Sequence, residues 1–200
     1  MKYLTSDLHF SHRKVTEYTN RNLVTTQQDH DEWLSDILKS TLKPGDELWI
    51  LGDVVFKSTA WEYLRPLANK GIFINVIKGN HDATKTLNYV KEQGIIKNWY
   101  YYNEIQVNGA YTCLFHFPIF TWDRKRYGSY CLHGHTHGDP TGIQGRILDV
   151  GIDNAYNIFG KHKLFSEDEV HEILSPIDFN GFSHHNRDSD EYILNKEKSC

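Results

Sequence analysis

The chain has 200 residues, 22 basic against 26 acidic side chains (net charge −4 with histidine neutral), 39 % apolar and 14 % aromatic content. That length suits one domain with a core large enough to need no staples, and the apolar share excludes a disordered polymer. Nearly balanced charge excludes the strong positive field of a dedicated nucleic-acid or membrane-surface binder.

The first residues, MKYLTSDLHF, are interrupted by Asp7 and His9 and do not read as a signal peptide. No later run approaches the roughly 18 apolar residues of a membrane span. Three cysteines, Cys113, Cys131 and Cys200, show no C-x-x-C pairing and argue against a disulfide framework or zinc knuckle. The expectation is a soluble, cytoplasmic protein.

Lys2 to Asp7 reads as a short strand entering a loop. DHDEWLSDILKSTLKPGDE reads as a helix with Asp29 or Asp31 as N-cap, Trp33, Ile37 and Leu38 on its apolar face, and Pro44-Gly45 as its stop. ELWILGD follows as a buried strand, STAWEYLRPLANKG as a helix capped by Ser58, IFINVIKGN as another strand and DATKTLNYVKEQG as another helix. This alternation predicts a mostly parallel sheet with crossover helices. WYYYNEIQVNG, AYTCLFHF, YGSYCLHGH and GRILDVGID are then strand-like, and SEDEVHEILS supplies a late helix. The predicted class is α/β, two packed mixed β-sheets flanked by helices, in one domain over residues 1–175. Residues 176–200 are expected to wrap on it as a tail anchored by Phe179, Phe182, Ile193 and Leu194. Exposed aromatics such as the Trp99–Tyr102 run can pack on the core or on a partner, so oligomeric state stays open.

Twelve histidines are an excess that raises the prospect of a metal or acid–base site. Polar clusters fall where strands end: Asp7-Leu8-His9, Gly52-Asp53, Gly79-Asn80-His81-Asp82, His116-Phe117-Pro118 and Gly134-His135-Thr136-His137. Ligands of open α/β sheets bind beyond the carboxyl ends of strands, where such side chains converge. Alternate residues face one way, so Asp7 with His9, and His135 with His137, can reach one ion. The glycines suit sharp strand exits and close backbone approach. Carboxylate, imidazole and amide donors without thiolate select Mn²⁺, Fe, Zn²⁺, Ni²⁺ or Mg²⁺. Asp7, His9, Asp53, Asn80, His116, His135 and His137 are too many donors for one ion that keeps positions open for water. Two ions sharing a carboxylate fit better.

These five blocks, in this order, resemble the signature blocks of the calcineurin-like metallophosphoesterases, most closely small bacterial and phage-encoded members with a start like SDLHFSH. The resemblance implies the α/β/β/α sandwich of metallo-dependent phosphatases. It also implies a pair of divalent ions, manganese foremost. Asp7, His9 and His137 would hold the first, Asn80, His116 and His135 the second, and Asp53 would bridge. The expected reaction is hydrolysis of a phosphodiester or phosphomonoester by a metal-bound hydroxide. His81 would protonate the leaving group, and Asp82 would cap the following helix or orient His81.

Other residues stand outside this set. His133 reads as packing or as a contact behind the ligands. His12 could face the substrate phosphate or merely begin a helix. Arg124 and Arg126, in the basic run WDRKRYG, either tip a solvated hairpin or bind substrate phosphate or base, with Trp122 or Tyr127 as a stacking face. The expected partner is a small phosphorylated substrate, nucleotides included, with no membrane. Polymeric DNA or RNA is the alternative substrate, disfavoured by the acidic balance. A non-catalytic metal-bearing scaffold is the third class.

Overall fold

The structure, a computed structural model, describes residues 1–19, 21 and 26–179. Strands β1 (Lys2–Thr5), β2 (Glu47–Ile50), β3 (Phe73–Ile77) and β4 (Asn98–Tyr100) lie parallel in the order β4-β3-β2-β1. The two-residue β9 (Phe165–Ser166) closes the β1 edge antiparallel. A second sheet pairs β5 (Tyr102–Val107) and β6 (Ala110–Phe115) as a hairpin, then β7 (Tyr130–His133) and β8 (Ile147–Asp149) parallel to β6. Both sheets are therefore mixed, as the sequence leads one to expect.

Strand alternation builds the layers. On β2, Leu48 and Ile50 face one core with Leu34, Leu38, Leu87 and Val90 of the helices, whereas Trp49 and the following Leu51 face a second core with Leu114, Leu132 and Tyr130 of the other sheet. Trp122, Ile119 and Ile143 cover Cys113 and Cys131 in a third cluster. The aromatic run divides between sheets. Trp99 packs on the first core and Tyr100 on the second, while Tyr101 and Tyr102 are exposed.

The helices are α1 (Val15–Tyr18), α2 (Gln27–Thr41), α3 (Arg65–Asn69), α4 (Thr84–Glu92), α5 (Ile152–Phe159) and α6 (Glu167–Leu174). Among the described residues no helix is long and apolar enough to cross a membrane. Several local expectations are corrected. The N-cap of α2 is Thr26, in a capping box with Asp29, whereas Asp31 is buried and binds the amide and hydroxyl of Ser11. Ser58 caps nothing. It begins a 3₁₀ turn (Ser58–Tyr63), and Pro66 in the first turn of α3 splits the expected helix in two. Of the expected tail, Ile177 packs on the second core and Phe179 lies against the Arg146 guanidinium. Phe182, Ile193 and Leu194 lie outside the described residues.

Replacing the α2 cap by Thr26→Ala should cost about 1 kcal/mol, since one amide loses its side-chain acceptor. At this chain length, that lowers the circular-dichroism melting temperature by about 2–4 °C.

Candidate metal centre

The carboxyl ends of both sheets meet at one seam. The Gly134 amide donates to the His116 carbonyl, the Asp7 amide to the Gly52 carbonyl, and Ser6 bridges Gly151. The predicted ligands lie just past the strand ends, so strand alternation is not what aims them. Asp7, His9, Asp53, His135 and His137 all have left-handed backbone, with φ between 50° and 71°, a conformation L-residues hold only where the surroundings impose it. The glycines permit the close approach. A Cβ on Gly52 would strike the His116 ring, one on Gly79 the Asp53 carboxylate, and one on Gly134 Ser6 and Asp7.

Two donor groups result. In Asp7, His9 and His137, and in Asp53, His116 and His135, one ligand atom per residue lies within 4.8 Å of the others of its group. Asn80 joins the second group, its Oδ1 2.9 Å from His116 Nε2. Asp53 faces both: its Oδ2 lies 3.8 Å from His9 Nε2 and 3.6 Å from His116 Nε2, while Oδ1 accepts from the His81 amide at 2.9 Å. The first group is the more enclosed, and His135 of the second is exposed.

The residues fit cations. Asp7 Oδ1 and both ring nitrogens of His9 are buried without a hydrogen-bond partner, a cost proteins seldom leave uncompensated. His116 Nδ1 donates to the Leu51 carbonyl at 2.7 Å, so in the neutral ring Nε2 is an acceptor facing another acceptor, Asn80 Oδ1. A cation held by His116 and Asn80 would satisfy both lone pairs. Burial, with the charges of Asp149 and Asp53, pushes the Asp7 pKa up to about 7 against the pull of His137. Burial and the neighbouring Arg21 cation push His9 down to about 2, so that ring is neutral and ready to ligate.

A buried network unforeseen in the sequence supports the first group. His137 Nδ1 bonds Asp153 Oδ2 at 2.6 Å, and Arg21 clamps Asp153 through Nε and a terminal nitrogen, each at 2.8 Å. The same guanidinium donates to the carbonyls of Asp7 (2.6 Å) and Leu8 (2.9 Å). Burial alone would raise the Asp153 pKa, but Arg21 and His137 outweigh it and hold the group well below the usual carboxylate range. Asp149 accepts from Thr136 Oγ1 and from the Gly138 and Gly151 amides, shaping the loop that carries His135 and His137. Both aspartates sit in LDVGID, ten residues beyond the histidine block, and that position is the one signal the sequence carries for them.

The other predicted residues divide. His81 belongs to neither group. Its Nε2 lies 3.9 Å from Asp53 Oδ2, and its ring, 42 % exposed, lies 5.5 Å from that of His9. Asp82 does not cap α4, which has no side-chain cap, and its carboxylate is taken by backbone amides rather than by the His81 ring. It is buried and accepts from the amides of Asp53 (2.8 Å), Gly79 (2.9 Å) and Val54 (3.1 Å), tying the β2 and β3 exits together. His12 is at the site, its ring 5.4 Å from His9. His133 is buried and bonds the Gly134 carbonyl. Arg124 is not at the site. Because β6 and β7 are parallel, residues 116–129 cross from carboxyl to amino ends, so the basic run is no hairpin tip. Arg124 stacks 3.8 Å over Tyr111, at the far end of β6 and about 16 Å of strand from His116. Arg126 shares that turn.

A family model described as calcineurin-like phosphoesterase matches residues 3–197. The gene 66 protein of Mycobacterium phage L5 is 27 % identical over 208 residues, spanning 88 % of this chain and 94 % of its own. That of Mycobacterium phage D29 is 29 % identical over 205 residues, spanning 88 % and 96 %. Among solved structures, a protein of unknown function from Aquifex aeolicus superposes with a TM-score of 0.66 at 22 % identity, over 87 % of this chain and 99 % of its own, a likeness of fold.

Two outcomes are expected. Asp153→Asn should lower divalent-metal affinity about 10–100-fold in calorimetric titration, because the His137 ring loses the partner that orients it. In the wild type, metal must displace the proton Asp7 retains below about pH 7. Against burial, Asp153 and Asp7 raise the His137 pKa, so that ring must also lose a proton to ligate. Affinity should therefore rise with pH by about tenfold per unit for each proton displaced, with proton release visible in buffers of different ionisation enthalpy.

Proposed function

We propose, on the premise that the chain belongs to the calcineurin-like phosphoesterase family, that it hydrolyses phosphodiester or phosphomonoester bonds of nucleotides or other small phosphorylated compounds. Members of this family are dinuclear-metal hydrolases acting on ester bonds. The observation that carries the reading is the pair of ligand groups that Asp53 faces at once. Asp7, His9 and His137 would hold one ion, Asn80, His116 and His135 the other, with Asp53 between them. Manganese is the first choice, and the donors also suit Fe, Zn²⁺, Ni²⁺ and Mg²⁺. When bound, the two ions polarise the phosphoryl oxygens and acidify water.

The chain's own residues orient and move protons around that centre. The His81 amide fixes one oxygen of Asp53 and leaves the other facing the ligand imidazoles. Asp82, through the amides it gathers, holds the Asp53 backbone in register with Gly79. It acts on position and contacts no substrate in this reading. The His81 ring, half-exposed beside Asp53, is free to give a proton to the departing oxygen. His12 lines the same mouth. With Arg124 and Arg126 at the far end of the second sheet, no basic track leads from the centre along those two side chains, which supports a small substrate over a polymer. A cytoplasmic setting is proposed with this reading, on the free thiols Cys113 and Cys131.

The test is metal-dependent release of p-nitrophenol from bis-p-nitrophenyl phosphate and p-nitrophenyl phosphate, abolished by chelator. His81→Ala should keep both ions by elemental analysis and lose about 10²–10⁴ in kcat on alkyl leaving groups, with a smaller loss on p-nitrophenolate. Loss of an ion from that variant would instead make His81 a ligand.

A further inference from the structure

Three exposed aromatic side chains stand around the centre. Tyr18, 59 % exposed, is edge-on to His137, with ring centres 6.2 Å apart. Phe117 lies 4.8 Å from His116 and 4.7 Å from His135. Phe56, 52 % exposed, lies 4.4 Å from His12 and 5.9 Å from His81. An exposed ring beside a hydrolytic centre leaves one face open for a bound group to stack on. Phe56 stands out, because its neighbour His81 is the proposed proton donor and marks where the leaving group departs.

A cavity of about 430 Å³ lies between the Ser58–Tyr63 turn and α4, lined by Ser58, Thr59, Glu62, Lys85, Thr86 and Tyr89. Both of its walls lie close in the chain to Phe56 and His81. Ser58 follows Phe56 by two positions, and α4 begins at Thr84, three after His81. The volume is that of a small-molecule site. Its lining mixes hydroxyl donors and acceptors, one cation, one carboxylate already clamped by Arg65, and an aromatic ring, Tyr89. Such a wall suits an uncharged heteroaromatic group with hydrogen-bonding edges better than a second phosphate, which would call for several cations.

We infer that Phe56 and this cavity form the leaving-group subsite, in which Phe56 stacks on a nucleobase, so that the substrate's leaving alcohol is a nucleoside. The inference rests on the hydrolytic reading above and adds to it the side of the scissile bond on which the base lies.

The test compares substrates differing only in the base: adenosine 5′-monophosphate against ribose 5-phosphate, each also as its methyl ester, on manganese-loaded enzyme. The esters should release adenosine or ribose rather than methanol, and methanol release overturns the inference. Wild type should show a KM about tenfold lower for the base-bearing member of the hydrolysed pair, in keeping with one stacked base. Phe56→Leu should close most of that ratio and Phe56→Trp should retain it. Equal KM values in wild type overturn the inference, as does Phe56→Leu shifting both members alike, which marks a structural role. If all four compounds are inert while bis-p-nitrophenyl phosphate is hydrolysed, the nucleoside subsite fails and the phosphoesterase reading stands. If that ester is inert as well, both fall.

Discussion

Negative charge buried at the seam between the two sheets is the constraint on which the rest of the site depends. Asp7, Asp53, Asp82, Asp149 and Asp153 are each at most 7 % exposed there, and an ion taken from water costs several kcal/mol unless it is paired or hydrogen-bonded. The fold compensates three of the five with its own groups. Asp82 and Asp149 collect backbone amides at strand exits, and Asp153 receives Arg21 and His137. One oxygen of Asp7 and one of Asp53 are likewise spent on the amides of His135 and His81. Their other oxygens face only imidazoles, and the protein's own compensation thus leaves two oxygens for external cations.

Bringing these groups together is demanding for the backbone. Five of the seven ligand residues sit in the left-handed region, and three glycines lie where a methyl group would collide with a ligand or its neighbour. Each such position costs of the order of 1–3 kcal/mol. The expense is supportable because the surrounding strands are packed on both faces and cannot relax around the seam. Rigidity of the two sheets and strain at their carboxyl ends are in this sense one feature: the first makes the second affordable.

What the sequence disclosed follows from the same division. Strand and helix alternation in the first half, and the seven donors clustered at strand ends, are written in local patterns, and the structure brings those donors together. Arg21 and Asp153 are 132 positions apart, and nothing local marks either as half of a buried pair. Asp82 looked like a helix cap because it precedes α4, yet its carboxylate turns inward to amides 28 and 29 residues away. The placement of Arg124 depended on whether β6 and β7 run parallel, a choice set by the whole second sheet rather than by the run WDRKRYG. Chemistry at strand ends is legible in sequence; the partners that steady it come from long-range packing and are not.

The two donor groups are also unequal, and the inequality sets the direction of approach. Asp7 and His9 are enclosed, and His137, only partly exposed, is steadied from behind by Asp153 and Arg21, so the first group is the less open of the two. In the second group His116 is buried and tied to the Leu51 carbonyl, but Asn80 and His135 reach solvent, and His81 is exposed beside them. Beyond the shared Asp53 it has no carboxylate donor, so it adds no anion to repel an incoming phosphate. On the proposed function, an anionic ester would meet the centre on the Asn80–His81–His135 face. That face carries the proposed proton donor, with the Phe56 ring 5.9 Å from it.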